Sequence, residues 1–243
     1  MSPKAGCVPD VATLGIDEAG RGPMLGPLVM AGVCVRTRAA ASLTRAGVLD
    51  SKSFGAGDDA HARRCELERR VRAVAESVVV RVIDVDEIDR RVRLHELNVL
   101  EREHATHIIE RSAPAKRIIA DGARMFRALA GRFANLEARD RAEEHHVAVA
   151  AASICAKVRR DELFRCIARR YEPEFGPIGG GGYENAPTHA FLRAYVGRYR
   201  RLPPEARRSW SSSWAAADYL PKGYQPFADL PASAQLGQLA LVG

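Results

Sequence analysis

Two short apolar runs near the N-terminus flank a loop rich in glycine and proline, and this pattern limits the fold more than any other. Residues 11–16 (VATLGI) and 28–35 (LVMAGVCV) are β-branched and bounded by turn residues. Such runs predict two strands joined by a loop. Because a rigid scaffold holds loop residues in place, we expect chemistry in this loop.

Helix and strand patterns alternate along the rest of the chain. The segment 84–89 is interpreted as an acidic turn, and Gly179–Gly182 as the break that ends a long helix. Strands are predicted over 78–85 and 117–120, and helices over 60–78, over 94–114, from 123 onward, over 147–171 and from Pro187 onward. With 243 residues, the chain is short for two full domains. We predict a main domain over 1–200 and a small helical appendage with a flexible tail over 201–243.

Composition argues against several classes of protein. No run approaches the roughly 18 apolar residues that a membrane span needs, and no secretory signal is visible, so we expect no membrane partner and a cytoplasmic location. The five cysteines show no Cys-x-x-Cys spacing, which argues against a disulfide framework or a zinc site. The formal net charge of +7, mostly from arginine, is compatible with a nucleic-acid partner but is weak evidence alone.

Acidic residues stand at the ends of two predicted strands. Asp17 and Glu18 directly follow the first strand, and Asp121 ends a later one. If these strand ends share one edge of a sheet, the carboxylates converge and need a cation to offset their repulsion. Hard divalent ions such as magnesium take such oxygen ligands. The alternative is that these are ordinary turn residues.

A long motif carries a family resemblance. The stretch GIDEAGRGPMLGPLVMAGV, residues 15–33, resembles the opening motif of ribonuclease HII nearly residue for residue. Other pieces follow in the family's order, namely Asp50-Ser51-Lys52, Ala120-Asp121-Gly122, residues 151–157 (AASICAK) with Arg160-Asp161, and Gly182-Tyr183 ahead of Thr188. The resemblance implies an α/β protein with the RNase H-like fold, a mixed central β-sheet flanked by helices, and a C-terminal helical segment that helps to clamp the substrate.

The resemblance also implies an activity. Members of the family are endoribonucleases that hydrolyse the RNA strand of RNA–DNA hybrids and cut at ribonucleotides embedded in duplex DNA. Two divalent cations, Mg²⁺ or Mn²⁺, would support a water attack that leaves 5′-phosphate and 3′-hydroxyl ends. The family's metal ligands carry over to Asp17, Glu18 and Asp121.

The fourth catalytic carboxylate departs from the family pattern. An aspartate is usual about ten residues before the Ala-Ser-Ile motif, whereas this chain has Glu143 there. Glutamate keeps the charge and adds one methylene, so the geometry would change. Asp140 and Glu144 are alternatives.

Resemblance also indicates residues that contact the substrate. Gly20, Arg21 and Gly22 would let the backbone approach the sugar and read its 2′-hydroxyl. Tyr183 would stack on the sugar at the RNA–DNA junction, although Glu184 and Asn185 follow it where proline is usual, so we expect a looser loop and a weaker preference.

Basic side chains are candidates for contacts to the phosphate backbone. By resemblance these are Lys52, Lys157 and Arg160, whose charge suits binding without sequence preference. Asp161 would hold a nearby lysine or arginine rather than a metal.

Other functions remain open. A junction resolvase would also cluster carboxylates, and a hybrid-binding protein weakened by the altered fourth carboxylate would bind without cutting. Ribonuclease HIII shares the core but carries an N-terminal substrate-binding domain, for which we expect no room ahead of Asp17. We expect a monomer, and no sliding-clamp partner, because the ending QLGQLALVG lacks paired aromatic residues.

Overall fold

The protein is described from a computed structural model that covers residues 9–210, 213, 214, 217–225 and 227, with only the backbone at Asp50 and Lys52. The strands in this part are β1 (Ala12–Ala19), β2 (Leu28–Arg36), β3 (Ser77–Ile83), β4 (Arg117–Asp121) and β5 (Leu136–Arg139). The α-helices are α1 (Thr37–Arg45), α2 (Asp58–Val74), α3 (Val85–Arg93), α4 (Leu97–Arg111), α5 (Ala123–Phe126), α6 (Val147–Phe175) and α7 (Ala186–Tyr199). Short 3₁₀ turns cover Val48–Phe54, Arg127–Gly131, Ala142–Glu144 and Gly180–Gly182.

The strands form one mixed sheet in the order β3-β2-β1-β4-β5. Strand β2 is antiparallel to β1 and β3, whereas β4 runs parallel to β1 and to β5. The predicted mixed central sheet is therefore confirmed. The parallel strands β1 and β4 end at the same edge, which is the arrangement that the acidic residues were expected to need.

Two glycines let helices approach the two faces of this sheet. A Cβ atom at Gly15 would lie 2.1 Å from the backbone carbonyl carbon of Ala148, in the first turn of α6. A Cβ atom at Gly32 would lie 2.2 Å from Cγ2 of Ile108 in α4. Since Gly32 pairs with Ile16, which alternates with Gly15 along β1, the helices α6 and α4 cover opposite faces.

The structure corrects several predicted elements. Residues 84–89 are not a turn, because the side chain of Asp84 accepts a hydrogen bond from the Glu87 backbone N–H (2.8 Å) and thereby begins α3. Helix α1 and strand β5 were not predicted. Strand β1 is also longer than expected, because its pairing with β2 continues to Ala19, so Asp17 and Glu18 lie inside the strand.

Contacts within the chain define two compact units. The first comprises Met1–Arg21, Leu28–Ile83 and Glu96–Glu162, and the second comprises Gly22–Pro27, Asp84–His95 and Leu163–Gly243. This division differs from the predicted boundary at residue 200, since α7 and the end of α6 group with the C-terminal segment. The second unit has its own core, which includes Phe164, Phe191, Tyr195 and Trp214. None of the helices in the described part of the chain has the length and apolar character of a membrane span.

Candidate active site

Asp17 and Asp121 lie side by side where the parallel pairing of β1 with β4 ends. Ile16 of β1 pairs with Ala120 of β4, so the next residue on each strand is one of these aspartates. By strand alternation both side chains belong to the face that α6 covers, because Asp17 is two residues after Gly15. Asp17 is only 5% exposed, and its Oδ1 accepts a hydrogen bond from the Glu18 backbone N–H (2.7 Å).

Glu143 is brought to the same face by a hydrogen bond from its neighbour. The backbone N–H of Ala142 donates to Oδ1 of Asp121 (2.9 Å), and Ala142 packs with Ile119 and Val149 in a small buried cluster. Glu143 follows in the 3₁₀ turn and is 5% exposed. A carboxylate adjacent to this anchored residue is therefore held near Asp121.

The two alternatives for the fourth carboxylate have other partners. Asp140 is exposed, and its Oδ1 accepts a hydrogen bond from the Ala123 backbone N–H (2.7 Å) at the start of α5. Glu144 accepts a hydrogen bond from Nε of Arg141 (3.0 Å). Burial thus favours Glu143 over both, although its role stays a prediction.

Glu18 belongs to the opposite face of the sheet, beside α4. One turn into that helix lies Glu101, a fully buried carboxylate that binds the side chain of Arg21. Nε of Arg21 donates to both oxygens of Glu101 (2.9 and 3.2 Å), and Nη2 of Arg21 donates to Oδ1 of Asn98 (2.8 Å).

The electrostatic environment disfavours a charged Glu18. Its pKa is raised from the usual 4.5 to about 8, first because burial penalises the charged carboxylate and then because neighbouring carboxylates repel it. These neighbours, in order of effect, are Asp17, Glu101 and Asp121, and the guanidinium of Arg21 acts in the opposite direction. The site therefore concentrates negative charge that a cation would relieve.

The carboxylates do not already form a closed ligand cage. Among the residues that the structure describes, no group of three or more His, Cys, Asp and Glu side chains is arranged to hold a metal ion. Asp17 and Glu18 are consecutive in β1, so strand alternation assigns them to opposite faces of the sheet.

The predicted substrate contacts of the first unit differ in their surroundings. Gly20 has a φ of 86°, a left-handed conformation that glycine adopts at little cost. Lys157 donates from Nζ to Oδ1 of Asp161 (2.7 Å), so Asp161 holds a lysine as expected. Arg160 is fully buried, which corrects its prediction as a phosphate contact. The side chain of Lys52 lies outside the described residues.

In the second unit, Tyr183 follows a tightly packed glycine turn. A Cβ atom at Gly182 would lie 2.7 Å from the backbone oxygen of Leu25, and Tyr183 itself is 42% exposed. Asn185 Nδ2 donates to the Gly180 backbone oxygen (2.9 Å), and Glu184 Oε2 accepts from the Ser213 hydroxyl (2.8 Å). These bonds restrain the loop, and the looser loop expected without proline stays a prediction.

Sequence reasoning missed Glu101. A usable signal was present, because Leu97, Glu101 and His104 share one helix face with Ile108, at spacings of three and four residues. A charged residue on a buried face needs a partner, and Arg21 supplies it.

Structural comparison defines the class of protein. The ribonuclease H2 of Pyrococcus horikoshii OT3 matches with a TM-score of 0.72 and 28% identity, over 84% of this chain and 96% of that one. In the complex of PCNA with RNase HII from Archaeoglobus fulgidus, a chain matches with a TM-score of 0.69 and 30% identity, over 82% and 94%. The mixed sheet and its flanking helices are the RNase H-like fold, as predicted.

Sequence comparison narrows the class to one family. The family model described as Ribonuclease HII matches residues 14–213. Ribonuclease HII of Methanothermobacter thermautotrophicus is 37% identical over 207 residues, which cover 82% of this chain and 96% of that protein. The chain belongs to the ribonuclease HII family, whose members are metal-dependent endoribonucleases.

Proposed function

We propose that this chain hydrolyses the RNA strand of RNA–DNA hybrids and cuts at ribonucleotides embedded in duplex DNA, with two divalent cations and with 5′-phosphate and 3′-hydroxyl products. The observation that carries the proposal is the juxtaposition of Asp17 and Asp121 where the parallel pairing of β1 with β4 ends, with Glu143 in the turn that is anchored to Asp121. Family membership supports this nuclease activity over that of a junction resolvase.

The side chains fit a hard divalent cation. Asp17, Glu18, Asp121 and Glu143 offer only oxygen donors, the ligand type that Mg²⁺ and Mn²⁺ prefer. Oε2 of Glu18 is buried without a hydrogen-bond partner among the described residues. A buried carboxylate oxygen in that state costs free energy unless a cation or a proton compensates it.

The residues of the site would hold and orient the reacting groups. When bound, the cations would activate the attacking water and stabilise the leaving oxygen. The Ala142 N–H donates to Oδ1 of Asp121, so Oδ2 of Asp121 would be available to a cation. Asp17 is fixed in the same way by the Glu18 N–H. Carboxylates that are positioned before substrate arrives need little reorganisation during the reaction.

Two features would select the substrate. The backbone amides of Gly20, Arg21 and Gly22 would form hydrogen bonds with the 2′-hydroxyl, the group that distinguishes RNA from DNA. Tyr183 would stack on the sugar that follows the ribonucleotide. Lys157, partly exposed beside Asp161, would contact a phosphate, and Lys52 remains a candidate by resemblance.

A substrate panel tests the proposal. Purified protein receives a duplex with one ribonucleotide, a long RNA–DNA hybrid, and all-DNA and all-RNA duplexes, each with Mg²⁺ or Mn²⁺. We expect cleavage of the first two substrates only, with 5′-phosphate ends. Tight hybrid binding without cleavage in either metal would instead favour the hybrid-binding alternative.

Binding to a sliding clamp needs a separate test. We expected no such partner, yet an Archaeoglobus fulgidus relative forms a complex with PCNA, which does not fit that expectation. The ending QLGQLALVG lies outside the described residues. Calorimetric titration of the full chain with a clamp, and with residues 235–243 removed, would decide whether the tail binds one. The expectation of a monomer also stays a prediction.

A further inference from the structure

The side chain of Arg21 is directed into the protein by two residues of one helix. Glu101 and Asn98 are three residues apart in α4, so they share a helix face. Together they accept three hydrogen bonds from Nε and Nη2 of Arg21. Two anchor points fix the plane of a guanidinium as well as its position.

The partner of Arg21 is unusual because it is a carboxylate with no exposed surface. A buried charge is retained only when a partner of opposite charge compensates it. The side chain of Arg21 stays 45% exposed, so its charge can be solvated, whereas the fully buried Glu101 needs partners within the protein, and Arg21 is one of them. The pair therefore ties the segment after β1 to the α4 face of the sheet.

Arg21 immediately follows Gly20, which has a left-handed backbone conformation. Because glycine lacks a Cβ atom, the backbone here can adopt many conformations unless a neighbouring contact restricts it. Recognition of a hydroxyl group by backbone amides requires placement to within about 0.5 Å. A side chain anchored one residue later restricts that backbone directly.

We propose that Glu101 and Asn98 are positioning residues that hold Arg21, and through it the adjoining backbone, in the conformation that distinguishes ribose from deoxyribose. This inference rests on the proposed function. Both oxygens of Glu101 accept hydrogen bonds from Arg21, so the structure assigns Glu101 to the arginine.

The test compares sugar selectivity with metal binding. The variants are Glu101→Gln, Asn98→Ala and Arg21→Lys, and the matched control is Glu103→Gln, the same change at an exposed position of the same helix. Two labelled duplexes differ by a single 2′-hydroxyl, and their affinities are measured in Ca²⁺, with Mn²⁺ affinity measured separately without nucleic acid. Melting temperatures identify any variant that fails to fold. If Glu101→Gln fails to fold, Asn98→Ala, a change at an exposed position, is used for the test.

We expect Glu101→Gln to lower the ratio of the two affinities about tenfold, as for loss of a charge-assisted hydrogen bond. Arg21→Lys should have a similar effect, because an ammonium lacks the planar fork that reaches both partners. Added to Arg21→Lys, Glu101→Gln should cause little further loss, since both act through one interaction. Mn²⁺ affinity and the control should match wild type.

The results distinguish a failure of this inference from a failure of the proposed function. If wild type distinguishes the duplexes and cleaves, but Glu101→Gln and Asn98→Ala distinguish them equally well, the inference is wrong and the proposed function stands. Loss of Mn²⁺ affinity with unchanged selectivity would also overturn it, because Glu101 would then serve the metal. If wild type neither distinguishes nor cleaves, the proposed function itself fails.

Discussion

At the scale of single residues, backbone N–H groups donate hydrogen bonds that orient Asp17 and Asp121. Ala142 donates to Asp121, and Glu18 donates to Asp17. Such donors stabilise a carboxylate without using the charge that a cation would later meet. The carboxylates can therefore be positioned while their negative charge stays available to the proposed cations.

The first prediction uses the hydrogen bond to Asp121. In Asp121→Asn, the amide oxygen can still accept from the Ala142 N–H, so Glu143 should keep its place while the ligand charge is lost. Since partners of metal ligands contribute about 10–100-fold, loss of a ligand should reduce cleavage by about 100-fold or more. The cleavage rate is measured in single-turnover assays, and the affinity for an RNA–DNA hybrid is measured on the same variant. Activity within a few-fold of wild type would exclude Asp121 as a ligand.

A second prediction concerns the altered fourth carboxylate. Glu143→Gln should reduce turnover about tenfold or more in Mg²⁺ and less in Mn²⁺, because Mg²⁺ demands near-ideal octahedral geometry. Glu143→Asp, which restores the family residue, should be tolerated. The control is Glu144→Gln, at the neighbouring residue that Arg141 binds. Full activity of Glu143→Gln in Mg²⁺ would mean that the site works without this carboxylate.

At the scale of elements, the sequence predicts those strands and helices that have a hydrophobic period of their own. Strands β1, β2 and β4 carry apolar runs, and α6 carries a long one. Strand β5 has the sequence LEAR and exists because β4 offers a parallel edge for pairing, which no local pattern records. Helix α3 was missed because Asp84 was interpreted as a turn residue rather than as a helix cap.

The residues of the site likewise divide into those that the sequence predicts and those that it does not. Asp17 and Asp121 were predicted because strand ends and a family motif mark them. Glu101 was missed because its importance depends on Arg21, which lies 80 residues earlier in the chain. The position of Glu101 on the apolar face of α4 indicates that it is buried, but no local pattern indicates which residue binds it, because a long-range ion pair leaves no periodic signal.

The loop around Tyr183 gives the third prediction. Tyr183→Ala should reduce cleavage of a single embedded ribonucleotide far more than cleavage of a long hybrid, because only the former always presents the deoxyribose on which the ring would stack. Tyr199→Ala is a matched control, since Tyr199 is an equally exposed tyrosine of the same unit (41% against 42%). Equal losses on both substrates would argue against a role at the junction.

At the scale of the whole molecule, carboxylates that are gathered without a cation repel one another. Three carboxylates raise the pKa of a fourth, and Glu101 adds a buried charge to the first unit. Folding must offset this repulsion with the apolar contacts of the sheet and its helices. Metal binding should therefore raise stability as well as enable cleavage.

A fourth prediction follows for the metal-free protein. The pKa of Glu18 is about 8 in the folded state and 4.5 ordinarily, so the folded state binds the proton more tightly than the unfolded chain. The contribution of this group to stability is present below pH 4.5 and is lost as the pH rises towards 8. Thermal unfolding in a chelator should show this decline, and Glu18→Gln should reduce it. A decline of the same size in both proteins would mean that another group causes it.

The two glycines at positions 15 and 22 should behave differently in a saturation library. Every replacement of Gly15 adds a Cβ 2.1 Å from the Ala148 backbone, so we expect Gly15→Ala to cost about 3 kcal/mol or more and to be lost when only folded protein is selected. A Cβ at Gly22 would meet nothing within 4 Å, so Gly22→Ala should pass that filter.

Selection of the same library for cleavage, with chemical denaturation of individual clones, would then separate two causes of intolerance. A position that rejects side chains before substrate is present reports on the close contact between β1 and α6. A position that rejects them only when cleavage is required reports the width of the space that the nucleic acid occupies. The side chains tolerated at Gly22 would therefore indicate how closely the nucleic acid approaches this position, without a structure of a complex.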